Sequence, residues 1–521
     1  MPLEVAPDGA LVPEPAASPT RKHWDSHGLR QTHLAMAVPL ELAGKQGGRH
    51  RSADAQRGEA ERRPAARARA ISEREGPAKW LREVMLPRVY ADRRQRVRDA
   101  MGPEAVAIFL GARHVTRSRD TDYPFRQDSD FWYLTGFDHP NAVAVLRSDG
   151  GPVYSLFVEP RDREMETWNG YRPGVDGAKR DYDADESFPI GEFLAKLPDL
   201  IKGARRIYHV LGRDAAVDAK ITETLEMLRM RSRLGVDPAD AIVDPRGITH
   251  GLRLFKEPAE LDVMRRASAI SREGHEAAAR LAFPGRYEYE LEAAIEYAFR
   301  RRGARGPAYT SIVGGGSNAT VLHYVRNDQK LREEELVLVD AGCELEGYAS
   351  DVTRTYPIGG RFTGPGRAVY EVVLAAQEAA LAQCRPGRTL PDVHDAAVRQ
   401  IVAGLLELGL LKGDLEDLIA REAYRPYYMH STSHWLGLDV HDVGAYRVGG
   451  AARVLEPGIV FTVEPGIYIA PDLEQADPRF RGIGVRIEDD VAITAGGCEN
   501  LTAGIPKDPD ELEALIASAA D

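Results

Sequence analysis

Five residues that can bind metal, Asp340, Asp351, His434, Glu464 and Glu488, fall in the second half of the chain, each inside or beside a short apolar segment. Asp340 ends the run Leu336 to Val339. Asp351 follows a turn punctuated by Gly342 and Gly347 and leads into Val352 through Tyr356. This pattern predicts two neighbouring strands. Glu464 closes a strand from Ile459 to Val463, just before Pro465 and Gly466, and Glu488 falls within a strand from Gly484 to Ile493. Carboxylates carried by strands are held more rigidly than carboxylates on loops. His434 belongs to the segment Met429 to Gly437, with Asp439, His441 and Asp442 close behind it.

Each residue alone has an ordinary reading. A strand-end aspartate caps a turn, a lone histidine is a hydrogen-bonded core residue, and Asp489 and Asp490 would make Glu488 part of a solvated acidic run. The set is more constraining. Asp340 and Asp351 flank strands whose composition buries them, where an unpaired carboxylate is costly; a shared metal pair removes that cost. Four carboxylates and one imidazole exceed what one divalent ion needs, and two carboxylates can bridge ions roughly 3.5–4 Å apart. Oxygen-dominated ligation with one nitrogen and no thiolate selects Mn²⁺ first, with Co²⁺, Fe²⁺ or Zn²⁺ as alternatives, and excludes a soft-metal site. Such a pair binds a water between its ions, lowers its pKa and polarises a carbonyl. The implied chemistry is hydrolysis.

The segments Val339 to Gly342, Ser350 to Thr355, Ser433 to Asp442, Thr462 to Tyr468 and Arg486 to Asp490 resemble the proline-specific aminopeptidases, the aminopeptidase P family. The match runs from about Leu86 to about Ala503 and includes Val115 to Ser118 and Asp130 to Phe137. The resemblance implies an α/β plus α+β architecture: a pita-bread catalytic domain of the creatinase/aminopeptidase type, two pseudo-symmetric halves around a dimetal site, preceded by a smaller α/β N-terminal domain. It also implies a role for each residue. Asp340 would ligate one metal, His434 and Glu464 the other, and Asp351 and Glu488 would bridge both. His323, His430 and His441 would line the cleft, His323 stabilising the tetrahedral intermediate, and Arg486 would orient carboxylates, with Asp120 and Arg233 extending its ionic network. Glu464 would also shuttle a proton to the departing nitrogen, and the substrate amine would lie near Asp340. Trp168 matches a family tryptophan that reaches a neighbouring subunit, its alternative being a domain-core aromatic. The activity implied is release of an N-terminal residue when proline follows, in a homodimer or homotetramer. A prolidase shares all five ligands, a methionine aminopeptidase has no need of the long N-terminal domain, and a non-catalytic peptide-binding module is the alternative from another class.

Composition agrees with this frame. A chain of 521 residues is too long for one ordinary core. The expected division is an extension over residues 1–84 of low apolar periodicity, an α/β domain over 85–250 and a catalytic domain over 251–521. Within the extension, the Arg-rich stretch from Arg49 to Arg74 reads as a solvated tail, with a tether to nucleic acid or an acidic surface as its alternative; Met85 is an alternative start. The net charge of -12 gives no general support for nucleic-acid binding. Cys343, Cys384 and Cys498 are too few and too scattered for a disulfide framework or a thiolate site. With no signal peptide and no apolar run long enough to span a bilayer, the expected compartment is the cytoplasm. In the N-terminal domain, strands are predicted at Ala105 to Leu110, Ala142 to Leu146, Val153 to Val158 and Ile207 to Leu211, with helices at Ile190 to Lys202 and Ala215 to Met230. Two further helices end near Leu281 and Arg302, and two more occupy Pro365 to Cys384 and Pro391 to Leu408. The run Gly314 to Asn318 lacks the Lys-Ser/Thr of a phosphate loop and reads as a tight turn.

Overall fold

The computed structural model describes residues 86–518, apart from 232, 234 and 236. The expected extension over residues 1–84 lies outside the described residues. A first helix, α1 (Leu86–Met101), leads into a mixed six-stranded sheet in the order β4-β3-β2-β1-β5-β6. Its strands are β1 (Ala105–Leu110), β2 (Val143–Arg147), β3 (Tyr154–Val158), β4 (Glu186–Pro189), β5 (Arg206–Tyr208) and β6 (Ala241–Val243). Strand β1 is apolar throughout, because both faces of the sheet are covered. Val106 and Ile108 pack with helices α2 (Phe193–Ile201) and α3 (Ala215–Met230), while Ala105, Ala107 and Phe109 join the main core on the other face. Helix α3 starts where Asp214 accepts hydrogen bonds from the amides of Ala216 and Val217, and buries Val217, Ile221, Leu225 and Leu228 at helical spacing.

Two halves of similar construction follow. The first pairs helices α4 (Pro258–Ala279) and α5 (Glu288–Arg301) with an antiparallel sheet of β7 (Ile312–Gly315), β8 (Leu336–Asp340) and β9 (Thr353–Pro357). The second pairs α6 (Gly364–Leu381) and α7 (Leu390–Glu407) with β10 (Val460–Val463), β13 (Asp489–Thr494) and β14 (Gly497–Asn500). Each helix pair crosses closely at a glycine. A Cβ on Gly274 would come within 2.6 Å of Phe299, and one on Gly404 within 2.3 Å of Val372. The ribbon of β11 (Gly466–Ile469) and β12 (Ile483–Arg486) runs from the second half to the first, where the Thr355 hydroxyl donates to the Arg486 carbonyl at 3.1 Å.

Three sequence expectations need correction. The single strand expected from Gly484 to Ile493 is two, β12 and β13, in different sheets, with Ile487 and Glu488 at the break. The apolar run ending at Leu211 pairs only as far as Tyr208, and Leu211 is exposed. The glycine run is the end of β7 followed by a 3-10 helix, Gly316–Thr320, rather than a simple turn.

Candidate metal centre

Strand register explains how residues distant in sequence arrive at one place. Asp340, the last residue of β8, pairs with Thr353, the first of β9, so Asp351 enters the same corner two residues earlier. Across the second sheet Val463 pairs with Asp489, which puts Glu464, just past β10, opposite Glu488, just before β13. The two corners are joined where the Glu488 amide donates to the Thr353 carbonyl at 3.1 Å. His434 arrives on an extended segment beside β10: the Thr462 amide donates to its carbonyl at 3.0 Å, and the Glu464 amide donates to Thr432 at 2.8 Å.

The structure brings all five candidate ligands to this junction. His434 Nε2 lies 3.4 Å from Asp351 Oδ2 and 3.5 Å from Glu464 Oε1, and Asp351, His434 and Glu488 offer ligand atoms within 4.8 Å of one another. His434 Nδ1 is 3.1 Å from the Trp435 carbonyl, a hydrogen bond that turns Nε2 toward the carboxylates. Asp340 accepts from the Tyr309 hydroxyl at 2.6 Å and from Arg486 Nη2 at 2.5 Å.

The electrostatics test whether this donor set suits cations. Burial, reinforced by Asp351 and the other carboxylates, pushes Glu488 well above the ordinary carboxylate range. Burial also lifts Glu464 to about 7 against the pull of His434 and Arg486. Burial opposes a charge on His434, yet Asp351 and Glu464 outweigh it and raise the ring to about 9. The cluster thus holds more carboxylates than Arg486 and His434 can balance, an arrangement that favours bound cations. Oxygen donors plus one imidazole fit a pair of hard or borderline divalent ions.

A second layer fixes these groups. Arg486 donates from Nε to the Thr353 hydroxyl at 3.0 Å and from Nη1 to the Tyr468 hydroxyl at 2.9 Å, and Thr353 donates to Glu488 at 2.7 Å. His430 lies with Nε2 2.8 Å from the Tyr468 hydroxyl and Nδ1 2.8 Å from the Ser431 carbonyl, and burial pushes it down to about 3, so the ring is neutral. The His441 ring is 4.2 Å from that of His434, and His323 lies within electrostatic reach of both His430 and His441. Both His441 and His323 are exposed.

The solvated acidic run considered for Glu488 is overturned, since Glu488, Asp489 and Asp490 are all buried. Asp489 is held ionised by Arg354 and Lys507 against its burial, while Asp490 accepts the Asp351 amide at 3.1 Å. Asp120 and Arg233, expected to extend the Arg486 network, are exposed, and Trp168, offered as a core aromatic in its alternative reading, is 79% exposed. Tyr309 was not legible as a site residue: its segment carries no motif, and only the fold sets it against Asp340. A cavity of about 1130 Å³ lies away from this junction, lined by Tyr90, Arg93, Trp132 and Tyr348 among others. Its charges pair with one another, Arg93 with Glu260, Arg126 with Glu344 and Arg266 with Glu346.

Residues 262–495 match the family model of metallopeptidase family M24, and residues 90–208 match that of the aminopeptidase P N-terminal domain. The Xaa-Pro aminopeptidase of Escherichia coli strain K12 is 47% identical over 429 residues, covering 82% of this chain and 97% of that one. Pseudomonas aeruginosa aminopeptidase PepP superposes with a TM-score of 0.82 at 48% identity, over 84% of this chain and 99% of that one. A zinc-substituted E. coli aminopeptidase P in complex with product gives a TM-score of 0.80 at 46% identity, over 84% and 99%.

Proposed function

The chain belongs to metallopeptidase family M24, in its aminopeptidase P branch with the pita-bread fold and the matching N-terminal domain, and we propose that it hydrolyses the bond between an N-terminal residue and a following proline. The observation that carries this reading is the convergence of Asp340, Asp351, His434, Glu464 and Glu488 on one buried junction beside neutral His430. Asp340 would hold one divalent ion, His434 and Glu464 the other, with Asp351 and Glu488 shared. Bound there, such ions activate water and polarise the scissile carbonyl.

The chain's own residues do the rest. Glu464, a carboxylate held at the junction, takes the proton of the attacking water and returns it to the departing imide nitrogen, acting first as general base and then as general acid. His323 donates to the carbonyl oxygen as it gains charge, and His430 and His441 line the substrate path. Arg486 holds Asp340 and, through Thr353, Glu488 in fixed orientation. The substrate's free amine is read near Asp340, where negative charge selects an N-terminus. Proline explains the need for a dedicated site: it lacks an N–H and restricts the residue before it, so a peptidase that grips an extended backbone loses its handle.

The donor set favours Mn²⁺. The boundary between N-terminal and catalytic domains is read near residue 250, because from Phe255 onward the chain is woven into the second half: Phe255 bridges Ile459, and the Lys256 amide donates to Gly458. Exposed Trp168 and Tyr171 support a homodimer or homotetramer. The cytoplasm fits three cysteines that are free. No helix among the described residues is long and apolar enough to cross a membrane.

The test is incubation of Mn²⁺-loaded protein with Arg-Pro-Pro and with Arg-Pro, following free arginine with and without a chelator. Chelator-sensitive cleavage of the tripeptide is expected. Cleavage of the dipeptide alone would make the protein a prolidase, and cleavage of neither would leave a peptide-binding module.

A further inference from the structure

Arg253, on the helix Arg246–Leu254, is buried and holds three carboxylates at once. Its Nη1 donates to Asp130 at 2.8 Å, and its Nη2 donates to Asp439 at 2.7 Å and to Asp442 at 2.5 Å. Asp130 belongs to the N-terminal domain, whereas Asp439 and Asp442 flank His441 on the segment that also carries His434. The remaining oxygens are occupied: Lys256 donates to Asp442 at 2.9 Å, Ser129 to Asp439 at 2.6 Å, and His250 Nε2 lies 3.2 Å from Asp130. Arg126, also of the N-terminal domain, donates to the Leu438 carbonyl at 2.5 Å.

The network ends on a candidate metal ligand. The Asp442 amide donates to the Trp435 carbonyl at 2.8 Å, the same oxygen that lies 3.1 Å from His434 Nδ1. Moving Asp442 therefore moves the acceptor that sets the tautomer and orientation of His434. Burial and the flat guanidinium fork leave little freedom in between. A buried ion cluster of this kind is weak evidence for stability, which turns attention to what it positions.

We propose that Arg253 is a positioning residue through which the N-terminal domain sets the geometry of the His434–His441 segment, and with it metal affinity and turnover. This rests on the metal-site reading throughout and on the aminopeptidase reading for its kinetic arm.

The experiment compares Asp130→Asn, Arg253→Met and Arg93→Met with the full-length wild type. Arg93 is a second buried arginine pairing the N-terminal domain with the catalytic domain, at Glu257 and Glu260, but it touches nothing on the histidine segment. Mn²⁺ affinity is measured by calorimetry on proteins shown to be folded by circular dichroism, and kcat and KM on Arg-Pro-Pro. Asp130→Asn and Arg253→Met are expected to weaken Mn²⁺ binding by up to about 10-fold, the low end of the range for direct outer-sphere partners of a ligating histidine, and to lower kcat while KM stays within about twofold. Arg93→Met should leave the affinity of folded protein at the wild-type value. Wild-type affinity in Asp130→Asn would overturn the proposal, and so would an equal loss in all three variants. If Arg253→Met does not fold, Asp130→Asn decides. If the wild type cleaves no tripeptide, the activity reading fails and the affinity series still decides the role of Arg253.

Discussion

His434 Nε2 stands 3.4 Å from Asp351 Oδ2, although the two residues come from opposite halves of the catalytic domain. The pair joins the halves beside the carboxylates of Glu464 and Glu488. The Asp351 amide also donates to Asp490 Oδ2 at 3.1 Å, so its carboxylate is delivered by a fixed backbone.

Replacing Asp351 with Asn removes a candidate bridging ligand. The expected outcome is loss of at least one Mn²⁺ per chain and a fall in turnover larger than the roughly 100-fold typical of outer-sphere changes. Metal analysis beside peptide hydrolysis checks this, and full metal content with full turnover would sink the ligand assignment.

Glu464→Gln keeps the shape of the side chain but removes both its proton chemistry and an anionic metal donor, so it is assayed at saturating Mn²⁺. The expected loss is about 10²–10⁴-fold in kcat, the usual span for a general acid-base group, with KM for Arg-Pro-Pro little changed. A variant whose KM rises while kcat holds would show that Glu464 binds substrate instead.

His275 is buried between the Ala341 carbonyl, 2.9 Å from Nε2, and the Tyr356 hydroxyl, 3.0 Å from Nδ1. Burial, followed by the charge of Arg354, pushes it down to about 4. Because the folded value lies below the unfolded one, the native state binds fewer protons between them. The stabilisation is complete above about pH 6.5 and is lost as pH falls toward 4, amounting to at most about 3 kcal/mol. In metal-free protein the melting gap between wild type and His275→Gln should therefore narrow from pH 7 to pH 5. A gap that stays constant or widens on acidification contradicts this.

Gly437 passes so close to the Asp442 carboxylate that a Cβ there would lie 2.1 Å from Oδ2, with Lys256 at 2.8 Å. Gly437→Ala must displace a buried ion pair, which adds the cost of a strained pair to overpacking of about 1–3 kcal/mol. A large drop in melting temperature is expected, accompanied by weaker Mn²⁺ binding. Unchanged melting would mean that the segment has slack that the geometry does not suggest.

The sequence made the local elements legible where a periodic signal existed. Strand β1 and helix α3 appear at their expected limits, and α6 and α7 differ from expectation by three residues or fewer at each end. Misreadings came where periodicity gives no information. An apolar strand can break without a change of composition, as it does at Ile487 and Glu488, because the break comes from partners in two different sheets. An acidic triplet looks solvated until the cations that cover it are seen, as Arg354 and Lys507 cover Asp489.

By itself the sequence determined which side chains can bind metal, the strand ends that carry most of them and the α/β character of what precedes them, since alternation and turn residues act over a few positions. Tertiary structure alone decided who partners whom: Arg486 with Asp340 across 146 residues, Arg253 with Asp130 across 123 and with Asp442 across 189. Such contacts leave no period in the chain. They arise when strand pairing and helix packing carry single residues to a shared, desolvated corner, where charge must be matched by charge.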